Sequence, residues 1–116
     1  IPAYPTGKAS GLVSVITPGE APFVWTDGSY VRPDKKDLMI YLLLIRDFTA
    51  AQNWQTLRDT LSYIVRTGFN AVQILPFNEF DGNNSWGYNP NHYFAPDKAY
   101  GTKNALKAFI NECHLN

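Results

Sequence analysis

The spacing of hydrophobic residues predicts a strand, a helix and a second strand in the middle of the chain. Leu38 to Ile45 is apolar at every position, which is typical of a parallel strand covered on both faces. Residues 54–67 have helical spacing, with Asn53 at the N-cap position and Gly68 after the last turn. The apolar stripe of this helix comprises Trp54, Leu57, Leu61, Ile64 and Val65. The segment NAVQILP then predicts a second short strand, which ends at Pro76.

This order predicts two parallel neighbouring strands, because the helix between them is long enough for a crossover connection. A last helix is predicted after Thr102, and its apolar stripe comprises Leu106, Phe109, Ile110 and Cys113. Strand, helix, strand, helix is the whole predicted regular content. A two-stranded parallel sheet leaves open edges and poorly covered faces, so we expect this unit to be incomplete by itself.

Residues 1–37 are predicted to form an extended lead-in. They contain five of the eight prolines and four of the eight glycines. One alternating stretch, GLVSVIT, has the pattern of an edge strand.

Composition limits the chain to one small domain or a piece of one. Ten basic side chains balance ten acidic ones, which argues against nucleic acid and anionic membrane as partners. The single cysteine, Cys113, excludes an internal disulfide and a thiolate metal cluster, and its position predicts a buried helix thiol. The start lacks a signal-peptide pattern, and the longest apolar run, LMIYLLLI, is far shorter than the roughly 20 residues of a membrane span, so we expect a soluble chain.

The connection over residues 76–101 is the strongest functional signal, because strand-to-helix connections usually take about 2 to 6 residues. It leaves the carboxyl end of a parallel strand, where α/β sheets and barrels place their binding sites. Its content of Gly, Pro and Asn argues against a strand or a helix. Its aromatic content argues against disorder, because disordered segments are poor in aromatic residues. Its aromatic residues in SWGYNPNHYFAPDKAYGT are Trp86, Tyr88, Tyr93, Phe94 and Tyr100.

The residue types on this connection favour a carbohydrate ligand. Neither strand is followed by a glycine-rich phosphate loop, and the sequence has no paired histidines at metal-ligand spacing and no nucleophile elbow. Phosphates, dinucleotides and zinc are therefore poor candidates. Aromatic faces mixed with Asn, Asp and His suit a neutral polyhydroxylated ligand, whose C–H faces stack on rings while its hydroxyls form hydrogen bonds.

Structural interpretations remain open for several residues of the connection. Phe94 and Tyr100 are interpreted as rings that attach the loop to the body of the protein. Tyr88, between Gly87 and Asn89, is predicted to be exposed and to contact ligand, while Trp86 fits either role. His92 is interpreted as an ordinary surface or hydrogen-bonding histidine, and FDGNNS as a plain turn rather than a calcium loop. The acids Glu79, Asp81 and Asp97 are interpreted as solvated charges at the rim of the site.

Three segments make the chain resemble the alpha-amylase family of glycoside hydrolases, glycoside hydrolase family 13. They are IYLLLIRDFT, GFNAVQILPFNEF and SWGYNPNHYFAPDKAYGT, and the resemblance covers roughly residues 33–116. It implies an α/β fold consisting of the first two β/α units of a TIM (β/α)₈ barrel, an incomplete barrel over residues 38–116. Residues 1–37 then resemble a connector from a preceding β-sandwich domain. The resemblance also implies that Tyr88 stacks on the sugar at the cleavage point, with Trp86 and Asn89 as further substrate contacts.

The chain also departs from the family pattern. Bacterial relatives usually have Glu where Leu42 follows Tyr41, and an acidic residue is common at the position of Gln73. The family's three catalytic acids come from its fourth, fifth and seventh strands, and this chain ends before the third. Retaining hydrolysis needs two carboxyl groups about 5 to 5.5 Å apart. The resemblance places these groups on strands that the chain does not include, so we expect no catalytic residue here and an inactive chain. No cofactor is expected in the chain itself, and the resemblance allows calcium in the parent enzyme.

Three hypotheses for function follow. The leading one is a fragment of an alpha-amylase-type enzyme acting on α-glucosidic bonds of starch-like glucans, with an α-glucan or maltooligosaccharide as ligand and the rest of the barrel, or a second copy of the chain, as partner. The alternative is a truncated, non-catalytic glucan-binding or assembly module. The third is a self-contained α/β domain with an unrelated ligand.

Overall fold

Two short parallel strands lie at the centre of the described chain, which comprises residues 16–82 and 84–116 of a computed structural model. Strand β1 pairs with β2 in the register Ile40–Ala71 to Leu43–Ile74, so the predicted parallel pairing is confirmed. The elements are β1 (Ile40–Leu43), α1 (Ile45–Phe48), α2 (Trp54–Asp59), α3 (Leu61–Arg66), β2 (Ala71–Ile74), β3 (Asn78–Phe80), β4 (Pro90–Pro96) and α4 (Lys103–Leu115). Most of GLVSVIT, the suggested edge strand, lies outside the described residues.

The first strand is shorter than predicted, and one of its faces is exposed. The chain turns into α1 at Ile45, so the apolar run is divided between a strand and a helix. Leu43 is buried in the core, with Tyr41 packed against it, whereas Ile40 and Leu42 on the opposite face are exposed. The prediction that both faces are covered is therefore wrong within the described residues.

The predicted helix over 54–67 is interrupted at Thr60. The Thr60 hydroxyl donates to the carbonyl oxygens of Thr56 (3.1 Å) and Leu57 (2.9 Å), and such bonds compete with the helical ladder. Both predicted ends are confirmed. The Asn53 side chain accepts from the Thr56 amide at 2.9 Å, and Gly68 has φ +93° after the last turn.

The core is built around Trp54, which is fully buried. Its ring centroid lies 5.1 Å from that of Phe77, 6.2 Å from that of Tyr100 and 5.8 Å from that of Phe109. Tyr100 is buried, so the prediction that it attaches the loop to the body is confirmed. These edge-on and tilted rings join α2, the end of β2, the long connection and α4 in one cluster.

The last helix starts where the sequence predicts. The Thr102 hydroxyl accepts from the Ala105 amide at 3.1 Å, which caps α4. Phe109 is buried, and Cys113 is half-buried against the same core. Burial raises the pKa of the Cys113 thiol to about 12, helped by the nearby Glu112 carboxylate, so the thiol stays neutral and poorly reactive. No described helix has the length and apolar character needed to cross a bilayer.

The described part of the lead-in lies along α4. The Thr26 amide donates to the Asn111 side chain and the Asn111 amide group donates back to the Thr26 hydroxyl, both at 2.8 Å. The Tyr30 ring stacks on the His114 ring with centroids 4.0 Å apart. Residues 16–34 contain neither helix nor strand, as the proline and glycine content predicts.

The long connection contains a two-stranded antiparallel hairpin, which contradicts the prediction that it would be free of regular structure. Strand β3 pairs with β4, and a 3₁₀ turn over Lys98–Tyr100 follows. The prolines do not prevent the strand because Pro90 and Pro96 lie at its two ends, where a missing amide proton disrupts the ladder least.

Buried charges hold the base of this hairpin together. Glu79 and Lys98 are both buried, and their charged groups form an ion pair, while the Lys98 amide donates to Glu79 Oε2 at 2.9 Å. Asp97 is fully buried and accepts from the amides of Ala99 (2.7 Å) and Phe80 (3.3 Å). The interpretation of Glu79 and Asp97 as solvated rim charges is therefore wrong, because each satisfies backbone donors of the loop; Asp81 is exposed.

The tip of the loop passes directly over the end of β2. Gly87 is buried with φ +88°, and a Cβ atom placed on it would lie only 1.7 Å from the Pro76 carbonyl oxygen. Only glycine fits both the left-handed conformation and this backbone approach. The contact fixes the position of the two neighbouring aromatic residues, Trp86 and Tyr88, near the carboxyl end of the parallel strands.

Replacing Lys98 with Met should lower the free energy of unfolding by about 3 to 5 kcal/mol, because the Glu79 carboxylate would remain buried without its partner. The double variant with Glu79→Gln should recover part of the loss. Lys36→Met is the matched control, since the Lys36 ammonium lies 3.9 Å from Asp34 Oδ2 with both side chains exposed, and it should change stability by less than about 1 kcal/mol. Urea denaturation measures all three, and equal effects of the two lysine substitutions would contradict the buried pair.

Gly87→Ala should destabilise the protein more than Gly82→Ala does. Both glycines have positive φ, so each substitution costs about 1 to 2 kcal/mol of backbone strain. Only the new methyl group at Gly87 meets the Pro76 carbonyl, whereas at Gly82 it meets open space, so we expect about 1 to 3 kcal/mol of additional loss. Equal unfolding midpoints for the two variants would show that the loop does not rest on Pro76.

Candidate functional site

Four aromatic side chains of the long connection are exposed near the end of β2. The exposed fractions are 61% for Trp86, 73% for Tyr88, 72% for Tyr93 and 86% for Phe94. The interpretation of Phe94 as a ring that attaches the loop to the body is therefore wrong. The pairing of β3 and β4 shifts register around Glu79, and Tyr93 and Phe94 fall in the bulged stretch, which explains why two successive side chains are both exposed.

Tyr88 and Asn89 differ in how their side chains are held. The Ser85 hydroxyl contacts Asn89 Oδ1 and also accepts from the Gly87 amide at 2.9 Å, so the exposed Asn89 side chain is held in place within the loop tip. Tyr88 is more exposed than Trp86, and its backbone is fixed through Gly87. The structure thus brings together the three residues predicted to contact substrate, Trp86, Tyr88 and Asn89, on one loop tip.

Arg46 is a member of this site that sequence reasoning missed. It lies in α1, directly after β1, and its Nη1 donates to Asn84 Oδ1 at 2.7 Å. Its Nε and Nη2 bind the two carboxylate oxygens of Asp47 at 2.7 and 3.0 Å, and this pairing holds the pKa of Asp47 below its usual range. The Arg46 Cζ atom lies 5.8 Å from the centroid of the Trp86 ring. The available signal was the sequence IRDF, with a charged pair immediately after an apolar strand.

Within the described part of the connection, the surface offers stacking faces and hydrogen-bonding groups but no pair of free carboxylates. Glu79 and Asp97 are engaged beneath the loop, and burial raises the pKa of Asp97. His92 is partly buried, and its Nε2 has no hydrogen-bond partner within the described residues. Burial also raises the pKa of Tyr100, so its phenol stays neutral.

The described residues do not form a metal site. In residues 16–82 and 84–116, no three His, Cys, Asp or Glu side chains gather where they could hold an ion. In the turn that loosely resembles a calcium loop, Asp81 points to solvent-accessible space and Asn84 is bound to Arg46. This arrangement suits a neutral ligand with flat apolar faces and several hydroxyl groups.

Comparisons with known proteins identify glucan-processing relatives. The chain is 31% identical over 111 residues to malto-oligosyltrehalose trehalohydrolase of Saccharolobus solfataricus, an alignment that covers 96% of the chain and 19% of the relative. It is 32% identical over an alignment of 127 positions to a 1,4-alpha-glucan branching enzyme of Cupriavidus pinatubonensis, covering 97% of the chain and 17% of the relative. The chain therefore spans about a fifth of the length of these relatives. No family model matches it.

Solved structures give the same picture. A crystal structure of an alpha amylase from Salmonella typhimurium matches 86% of the chain and 17% of its own chain, with a TM-score of 0.79 and 27% identity. The catalytic module of a glycogen-degrading pneumococcal virulence factor shares the fold over 68% of the chain, with a TM-score of 0.59 and 23% identity. On this evidence the chain belongs to the alpha-amylase family of glycoside hydrolases, glycoside hydrolase family 13, and matches part of the length of its members.

Proposed function

We propose that the chain is the first part of the catalytic barrel of an enzyme that acts on α-glucosidic bonds of starch-like glucans, and that it supplies one wall of the sugar cleft. The observation that carries the proposal is the Gly87–Pro76 contact, which places the backbone of the exposed Tyr88 next to the carboxyl end of β2. Barrel enzymes bind their substrates at this end of the strands. Relatives named for malto-oligosyltrehalose and α-glucan chemistry support the ligand class.

In this proposal the parallel strands are the first two β/α units of a (β/α)₈ barrel, and residues 1–37 connect it to a preceding domain. Two open apolar surfaces support the incomplete barrel. Ile40 and Leu42 are exposed on one face of β1, next to the exposed Gln73 of β2. On the other side, a cleft of about 990 Å³ lies between α3, β2 and α4. Its apolar lining includes Leu61, Ile64, Phe69, Val72, Leu106, Phe109 and Ile110.

In this proposal, the residues that cleave the glucosidic bond lie outside this chain. Tyr88 provides a platform for the sugar at the cleavage point, Trp86 and Asn89 are further contacts, and the catalytic carboxylates come from other parts of the enzyme. The engagement of Glu79 with Lys98, and of Asp97 with backbone amides, supports this division because neither acid is available to attack or protonate a substrate.

A second candidate is a non-catalytic glucan-binding or assembly module that completes its sheet with a second copy of the chain. The exposed face of β1 favours it, since an uncovered apolar strand face recruits a partner. A coding sequence that continues past Asn116 into a third strand favours the enzyme, and a stop codon there favours the module. Sedimentation adds a test, because concentration-dependent association of the chain excludes the third hypothesis of a self-contained domain.

Tyr88→Ala in the full-length protein should lower turnover on maltooligosaccharides by about tenfold while leaving the melting temperature unchanged. The lost stacking is on the order of 1 to 1.5 kcal/mol, and an exposed loop ring contributes little to the core. Tyr63→Ala is the matched control, since Tyr63 is an exposed tyrosine of α3 and not of the long connection. Unchanged kinetics of Tyr88→Ala would remove this ring from the substrate site.

The isolated chain should release no reducing sugar from starch, because the proposed catalytic carboxylates lie outside it. The assay compares the purified chain with the full-length protein at equal molar concentration. Release that persists through further purification and scales with chain concentration would contradict the proposed division of labour.

A further inference from the structure

The side chain of Arg46 links the end of β1 to the tip of the long connection. Two of its nitrogen atoms bind Asp47, and the third donates to Asn84. A bidentate arginine–carboxylate pair fixes the plane of the guanidinium group as well as its position. The Arg46 side chain is 19% exposed and that of Asp47 is 56% exposed, so the pair lies at the surface with the arginine as its more covered member.

The fixed guanidinium group lies over the Trp86 indole, 5.8 Å from the ring centroid to Cζ. A cation over an aromatic face is attracted by the ring's electron density. Trp86 lies in a stretch without helix or strand, and 61% of its surface is exposed. The exposed surface of the ring remains for a ligand.

The backbone that carries Arg46 is fixed independently of the aromatic loop. The Gln52 side chain donates to the Arg46 carbonyl oxygen at 2.9 Å. Gln52 itself has φ +52°, a left-handed conformation that is uncommon for a residue other than glycine and persists only where surrounding contacts define it. The guanidinium group is therefore attached to a well-defined part of the fold.

We propose that Arg46 is the positioning residue that orients Trp86 as a second stacking platform, beside Tyr88, for an α-glucan. This inference rests on the proposed function of the loop. A ring that is already oriented loses less conformational freedom when the sugar binds, so the interaction strengthens binding without direct contact between Arg46 and the glucan.

The test uses the full-length protein with maltoheptaose as substrate. Arg46→Met should raise KM about two- to fivefold, the range that corresponds to an exposed cation–π interaction, with a smaller effect on kcat. Arg46→Lys should restore part of the loss because it keeps a cation but not the fork. Arg58→Met is the matched control, since Arg58 also neighbours an aspartate, with Nε 3.8 Å from Asp59 Oδ1, but belongs to α2 rather than to the α1 segment that meets Asn84 and Trp86.

Two further measurements separate positioning from a general loss of structure. In the double variant with Trp86→Ala, Arg46→Met should add nothing to the effect of Trp86→Ala alone. In protein labelled with 5-fluorotryptophan, Arg46→Met should shift the fluorine resonance of Trp86 while those of Trp25 and Trp54 stay in place. Additive losses in the double variant, or an unchanged Trp86 resonance, would overturn the role of Arg46. If Tyr88→Ala and Trp86→Ala both leave KM and kcat unchanged, the proposed function itself fails.

Discussion

The buried ion pair of Glu79 and Lys98 is the interaction on which the ordered loop depends. It lies where β3 begins and β4 ends, so it closes a connection that would otherwise be too long to hold one conformation. Asp97 adds two bonds to backbone amides at the same place. Burying such charges is costly unless all partners are present, so the cluster favours a single arrangement of the loop.

From this base the chain returns across the end of β2, and the contact of Gly87 with Pro76 determines where the tip lies. The rings of Trp86 and Tyr88, on either side of Gly87, are exposed. A scaffold of buried polar groups thus presents apolar faces to solvent. This arrangement is unfavourable for the chain alone and is understandable if a ligand covers the rings. The proposed ligand is a sugar, in keeping with the names of the glucan-processing relatives.

Local signals in the sequence predicted the parts of the fold that depend on neighbouring residues. The caps Asn53 and Thr102 satisfy free amides within the next turn, and the parallel strands are recognised by short apolar segments on either side of a helix. The hairpin was missed because its prolines suggested a break, although they occupy the ends of β4. The helix is interrupted at Thr60 because the Thr60 hydroxyl bonds to the preceding turn. The spacing of apolar residues does not reveal such a bond.

The candidate site likewise combines features that the local sequence predicts with features that depend on residues far apart in the chain. The aromatic loop could be recognised from its length and composition, and the exposure of Tyr88 from its flanking residues. The burial of Glu79 and Asp97 could not be recognised from the sequence, because it depends on Lys98 and on backbone amides many residues away. Arg46 was missed for the same reason, since its contacts with Asn84 and Trp86 exist only once the two connections meet.

The decisive experiment is a crystal structure of the full-length protein with bound maltoheptaose. We expect a glucose ring stacked on Tyr88, with the loop resting on Pro76. A structure in which Tyr88 and Trp86 are buried beneath another segment, with the sugar bound elsewhere, would contradict it.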